Sequence, residues 1–160
     1  MTEVLRPGVL AGLRVRVSPG ELGDAVAARF AVLGADVNPA GEGSVVVWDG
    51  AAAFSSAPGV EGVRAALDDG WDAIRGALCD GLLILLLAPR PGDAHAEAAR
   101  AGLENMARTL SVEWARLGIR PVAIHPGAAT PAGEVAEIAA YLASPAGAFF
   151  SGCRFDLGSV

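Results

Sequence analysis

The stretch HAEAARAGLENMARTLSVEWARLGIRPVAIHPG, residues 95–127, decides the fold of this chain. A single apolar stripe at three- and four-residue steps predicts a long amphipathic helix; its members are Leu103, Met106, Ala107, Leu110, Trp114 and Leu117. Gly118 is placed to end that helix, and residues 119–124 form an apolar run of strand length. A helix that leads into a buried strand with a Pro-Gly exit turn is typical of a parallel α/β sheet.

The same alternation of strand and helix continues on both sides of this stretch. The predicted strands are 13–17, 35–37, 44–48, 82–87, 119–124 and 152–157. The predicted helices are 24–33, 60–78, 95–117 and one with an apolar stripe at Val135, Ile138, Ala139 and Leu142 that stops near Pro145. The segment DGAAAFSSAPG, 49–59, is predicted to be a loop. We therefore predict one domain, 1–160, with a Rossmann-like α/β fold: a doubly wound, mainly parallel sheet, helices on both faces, reduced in size.

Composition narrows the class of protein. The 160 residues are 52% hydrophobic and 19% charged, which suits one folded domain. A net charge of −6 argues against nucleic acid as a partner, because its affinity comes from basic side chains. The longest apolar run, 81–88, is too short to span a membrane, and the N-terminus has no signal-peptide pattern, so we expect a cytoplasmic protein. We expect Cys79 and Cys153 to be free, and we expect no metal site.

Three blocks of the sequence resemble the short-chain dehydrogenase/reductase family. Residues 12–27 resemble the family's opening strand, glycine turn and helix, 101–127 resemble its back half, and 134–159 resemble its C-terminal helix and strand. Residues 63–78 are similar to its central helix, while SVVVWDGA, 44–51, stands where the family usually has a strand ending in Asn-Asn-Ala-Gly. The resemblance spans nearly the whole chain, which is shorter than a usual member.

The resemblance implies NAD or NADP as a cofactor, bound at the turns after the strands. The positions it assigns are Ser18, Gly20, Gly23, Asp49, Gly50, Pro126, Gly127 and Thr130. The turn 18–23 is about two residues shorter than the family's, and Glu21 places a carboxylate where phosphate should lie. The alternative is that Gly20 and Gly23 serve only backbone conformation and packing. Thr130 either meets the nicotinamide or caps the last helix, with Pro131 at its first position.

Catalysis is where the chain departs from the family. Aligned on residues 101–127, the family's Tyr-x-x-x-Lys pair falls on Ala96 and Arg100, and its serine is also missing. No other alignment restores the pair, because the chain contains no lysine and a single tyrosine, Tyr141. Arg100 could hold a ribose or phosphate, and His95 is either a weak acid/base candidate or a surface histidine at the start of the helix. We expect His125 to pack or hydrogen-bond at its strand exit.

Two functions remain. The first is a non-catalytic protein that resembles the family and acts as a homo- or hetero-oligomeric partner or scaffold, through the 101–117 helix and the 134–160 segment. Trp114 and the aromatic stretch 149–155 would anchor such an interface, although packing in the core is equally compatible. The alternative is an NAD(P)-dependent oxidoreductase acting on an alcohol or ketone, with atypical catalytic residues. In that case Arg100→Ala should abolish turnover.

Two features bear on the shape of the sheet. Arg14 and Arg16 alternate along the first strand, so one face of a strand expected to be central carries two cations. We predict that this face is partly uncovered, forming a groove open to solvent or to a partner. The link NPAGEG, 38–43, reaches about 20 Å at most. We therefore predict that the second strand is short, displaced or absent, which would remove the residue that normally contacts the adenosine ribose.

Overall fold

The computed structural model describes residues 5–38 and 42–158. Its strands are β1 (Arg14–Val17), β2 (Asp36–Val37), β3 (Val45–Asp49), β4 (Leu83–Leu87), β5 (Arg120–His125) and β6 (Cys153–Asp156). Its α-helices are α1 (Glu21–Val32), α2 (Gly50–Ser55), α3 (Gly59–Arg64), α4 (Gly70–Arg75), α5 (Ala94–Glu113) and α6 (Ala132–Ala143).

The six strands form one parallel sheet in the order β2-β1-β3-β4-β5-β6. Helices α1 and α6 pack together on one face, and α5 covers the other with the shorter helices before β4. All five residues of β4 are buried, as expected for a strand covered on both faces. The predicted Rossmann-like, doubly wound α/β fold is confirmed.

The second strand is short, as predicted. Asp36 and Val37 pair with Arg14 and Val15, so β2 forms the edge of the sheet beside β1. The chain then crosses β1 to reach β3 on its other side. Residues 39–41 of the link lie outside the described part of the chain.

One prediction about the helices was wrong, and a second was confirmed with a local irregularity. The segment 49–59 is not a loop throughout, because α2 occupies 50–55; its three consecutive alanines favour helix and Asp49 caps it by accepting a hydrogen bond from the Ala52 N–H. The helical stretch predicted from 60 to about 78 is confirmed: it runs without a break from Gly59 to Arg75, with a π-helical turn at Ala65–Asp69 between α3 and α4. Helix α5 ends at Glu113, earlier than predicted, but a 3-10 turn at Ala115–Leu117 follows it and ends at Gly118, which adopts the expected left-handed conformation with φ 67°.

The arginine face of β1 is partly uncovered, as predicted. Val15 and Val17 are buried in the core beneath α1 and α6. On the opposite face the Arg14 side chain is 52% exposed, and Arg16 is half-buried. The described residues include no helix with the length and apolarity that a membrane crossing requires.

The aromatic residues divide between packing and exposure. Trp114 stacks on Trp71, with ring centroids 5.8 Å apart, and Phe150 packs against Tyr141 and Phe155. The Phe149 side chain, by contrast, is 92% exposed. Both cysteines are free.

Candidate functional site

The predicted cofactor residues gather at the carboxyl edge of the sheet. Strand order reverses between β1 and β3, and the crevice outside such a switch point is where open α/β sheets usually bind ligands. Ser18 follows β1 and Asp49 ends β3. Gly20 lies in the turn just before α1, and Gly23 lies in the first turn of that helix. The structure thus brings together a first group of predicted cofactor residues, those after β1 and β3.

Asp49 organises this crevice. Its carboxylate accepts hydrogen bonds from the Gly23 N–H at 2.8 Å and from the Ala52 N–H at 2.9 Å, and its own N–H donates to the Ser18 hydroxyl at 2.6 Å. One carboxylate therefore caps the N-termini of both α1 and α2. Asp49 is only 1% exposed. Burial raises the pKa of its carboxyl above the ordinary value, and the hydrogen bonds from backbone N–H groups partly oppose that rise.

The glycines of the turn are packed against this carboxylate and the neighbouring backbone. Gly20 has φ 149°, and a Cβ there would collide with the Asp49 carboxylate and with the Ala52 side chain. A Cβ on Gly23 would collide with the Ser18 carbonyl oxygen. Gly50 is equally confined, since its Cβ would come within 2.8 Å of Leu103 and 2.9 Å of the Leu87 carbonyl oxygen. These glycines serve conformation and close packing inside the protein.

A dinucleotide pyrophosphate does not fit these residues. Such a phosphate sits on free N–H groups at a helix N-terminus, and glycines let it approach the backbone. Here the N–H of Gly23 already donates to the Asp49 carboxylate. That carboxylate and the Ala52 side chain both lie against Gly20. A phosphate at the same place would meet a buried like charge.

The second group of predicted residues, after β5, is also engaged internally. The Thr130 hydroxyl accepts a hydrogen bond from the Gly127 N–H at 2.8 Å and donates to the Leu157 carbonyl at 3.0 Å. The prediction that Thr130 caps the last helix was wrong, because the N-cap of α6 is Pro131 and the threonine side chain reaches toward the end of β6 instead. Gly127 is packed against Gly158, where a Cβ would come within 2.8 Å. The loop after Pro126 is therefore held by its own contacts.

Arg90 bridges the two groups and was missed from the sequence. Its guanidinium donates to both Glu21 carboxylate oxygens, at 3.0 and 3.4 Å, and to the Thr130 carbonyl oxygen at 3.1 Å. It thereby ties the start of α1 to the loop after β5, across the carboxyl end of the sheet. The available signal was an arginine soon after the apolar strand β4, on the edge where ligands of such sheets bind.

The side chain of Arg100 is buried and bonded to the backbone. It is 8% exposed, and its Nη1 donates to the carbonyl oxygens of Pro89 at 2.7 Å and Pro126 at 2.9 Å. These bonds join the exits of β4 and β5. Ala96, one turn earlier, is buried and carries no reactive group.

His95 and His125 occupy contrasting environments. His95 lies in the first turn of α5, where Asp93 caps the backbone, and its side chain is 45% exposed. This is the helix-start position considered from the sequence. His125 ends β5, is 2% exposed, and has no hydrogen-bond partner for its buried Nε2. Burial, together with the positive charge of Arg100, lowers the pKa of His125 to about 4.

Comparison with known proteins supports the fold. No protein-family model matches this chain. It is similar to a dehydrogenase/reductase from Sinorhizobium meliloti 1021, with a TM-score of 0.77 and 20% identity, over 94% of this chain and 96% of that one. It is also similar to BdcA from E. coli in complex with NADPH, with a TM-score of 0.74 and 17% identity, over 94% of this chain and 95% of that one. A third similar structure is a short chain dehydrogenase/reductase family protein, with a TM-score of 0.72 and 20% identity, over 93% of this chain and 97% of that one.

These likenesses define the class of fold. The chain has a Rossmann-like α/β fold of the kind found in short-chain dehydrogenase/reductases, and the resemblance stated from the sequence is confirmed at that level. Among the residues that the structure describes, no group of three or more His, Cys, Asp or Glu side chains could hold a metal ion.

Proposed function

We propose that this chain is a non-catalytic protein with the fold of the short-chain dehydrogenase/reductases, which acts as a partner or scaffold subunit. The observation that carries the proposal is the Asp49 carboxylate at the N-terminus of α1. The protein's own anion accepts a hydrogen bond from the Gly23 N–H, one of the backbone donors at this helix N-terminus that a pyrophosphate would need. The Arg90 bridge to Glu21 and Thr130 further restricts the same edge of the sheet.

The absence of a suitable proton donor supports the same proposal. The places of the family's tyrosine and lysine hold Ala96 and Arg100. The Nη1 of Arg100 is engaged by two backbone carbonyls, and a guanidinium does not release a proton at neutral pH. His95 lies at the surface, on the first turn of α5. We therefore infer no proton transfer of the family's type at this edge.

The surface at the end of α5 supports a role in association. Val112 is 77% exposed, Leu117 44% and Phe149 92%. A Cβ on Gly152 would collide with the Ser111 side chain, so the 149–152 segment lies beside the end of α5. Large apolar side chains left exposed at the surface commonly mark an interface. We propose that this surface, within 101–117 and 134–160, binds a second copy or another subunit of the same fold.

The alternative remains an NAD(P)-dependent oxidoreductase acting on an alcohol or ketone. It is favoured by the NADPH complex of BdcA, a protein of similar fold. For this chain it would require Asp49 and Arg90 to leave their hydrogen bonds before the cofactor could bind at the carboxyl edge.

Titration with dinucleotides separates the two functions. We expect calorimetry to show no saturable binding of NAD(H) or NADP(H) at about 1 mM, a concentration that corresponds to about 4 kcal/mol of binding free energy. The Arg90→Ala variant should behave alike, because Asp49 still occupies the N-terminus of α1. Thermal shifts on the same samples provide an independent check. Micromolar binding to the unchanged protein would contradict the non-catalytic function.

Association is tested by the oligomeric state. We expect light scattering after size exclusion to show a dimer or larger species, and Phe149→Ser to weaken self-association at least about ten-fold, a loss of about 1.4 kcal/mol. The control is Val32→Ser, since Val32 is also an exposed apolar side chain, 67% exposed, but lies on α1. A strictly monomeric protein that also co-purifies with no chain of the same fold would contradict the partner role.

A further inference from the structure

A groove runs along the uncovered face of β1, away from the crevice that Asp49 occupies. Arg14 and Arg16 point to this face while Val15 and Val17 point to the core. The groove is bordered by the chain before β3, at 42–44, and by the chain after α4, at 76–79. Most of the groove therefore opens toward the amino ends of β3 and β4, the opposite end of the sheet from the site described above, and only its narrow end reaches Ser18.

Two adjoining cavities make up the groove, and Arg16 lines both. The larger, about 680 Å³, also has Arg14, Ser44 and Cys79 in its wall. The smaller, about 220 Å³, extends past Ser18 to Trp48. Cavities of about 300 to 1,000 Å³ are of the size that binds small organic ligands.

The two arginines have few partners for their donors. The Nε of Arg14 lies 3.9 Å from the Asp36 carboxylate, and the Nη1 of Arg16 lies 3.5 Å from the Gly76 carbonyl oxygen. Each guanidinium carries five N–H donors, and both side chains line the larger cavity, so within the described part of the chain most of these donors have no protein partner. By comparison, Arg90 and Arg154 are held by closer contacts, with shortest distances of 3.0 and 2.7 Å.

We propose that this groove binds a small organic anion with two carboxylates or one phosphate. Residues two apart on a strand place their Cα atoms about 6.5 Å apart on one face, so two guanidiniums can hold one small dianion between them. Ser44 supplies a hydroxyl in the same wall. Glu42 also lines the cavity, and its negative charge disfavours long polyanions such as nucleic acids. This inference does not depend on the proposed function.

The test is a titration at low salt with succinate and with inorganic phosphate, followed by nuclear magnetic resonance of the arginine side chains. We expect saturable shifts of the Arg14 and Arg16 signals with a dissociation constant below about 5 mM for at least one probe. Comparison of the two probes distinguishes a carboxylate ligand from a phosphate ligand.

Charge-matched variants make the test specific. Arg16→Gln should weaken binding at least about ten-fold, whereas Arg116→Gln, which removes one exposed arginine after α5, should change it less than about two-fold. Circular dichroism melting confirms that each variant folds. The proposal is overturned if neither probe saturates, or if both variants weaken binding equally. Binding of a glutamate-rich peptide without binding of either probe would also overturn it, in favour of a protein partner.

Discussion

Replacing Asp49 with alanine should lower the free energy of unfolding by about 3 kcal/mol. The loss is larger than for an ordinary helix cap, which contributes about 1 kcal/mol, because one carboxylate caps two helices. Removing it leaves the N–H groups of Gly23 and Ala52 without their partner at a site that is almost fully buried. Urea denaturation at neutral pH measures the change.

Two further variants separate capping from general charge effects. Asp49→Asn keeps an acceptor oxygen and removes the charge whose burial raises the pKa, so we expect a smaller loss than with alanine, about 1–2 kcal/mol. Asp24→Ala removes an exposed carboxylate from the first turn of the same helix and should cost less than about 1 kcal/mol. If Asp49→Ala costs no more than Asp24→Ala, the double cap contributes nothing beyond a surface charge.

The second large effect is a loss of stability in acid caused by His125. The folded state lowers the pKa of this imidazole from 6.5 to about 4, so the unfolded chain binds more protons between these pH values. Stability therefore falls as the pH drops from above 6.5 toward 4. A shift of this size corresponds to about 3 kcal/mol, most of which should be lost by pH 4.

The contribution of His125 is isolated by comparison with a leucine variant. The buried Nε2 has no hydrogen-bond partner, so His125→Leu gives up no bond at that atom and removes the titration. Denaturation at pH 7 and at pH 4 should show a smaller acid-induced loss in this variant, by about 3 kcal/mol. His95→Gln is the control, because His95 is 45% exposed. Equal acid sensitivity of the unchanged protein and His125→Leu would contradict the assignment.

Much of the fold could be predicted from local pattern. The stripe along α5, the left-handed stop at Gly118 and the apolar run at β4 are set by residues close in sequence. Even the uncovered face of β1 was predictable, because arginines do not suit a strand buried on both faces. The wrong predictions concern helix caps: α2 starts at the carboxylate of Asp49, and the Thr130 hydroxyl donates to the Leu157 carbonyl oxygen just after β6 instead of capping α6.

The sequence by itself determined the alternation of strands and helices. It also showed that the chain lacks the tyrosine and lysine of the short-chain dehydrogenase/reductases that it resembles. Only the tertiary structure decided what stands at the carboxyl edge of the sheet. The carboxylate of Asp49 meets an N–H 26 residues away, and the guanidinium of Arg90 meets Glu21 69 residues away. Hydrophobic periodicity fixes which face of an element is buried, but the partner of a polar side chain depends on strand order and on the relative positions of distant turns.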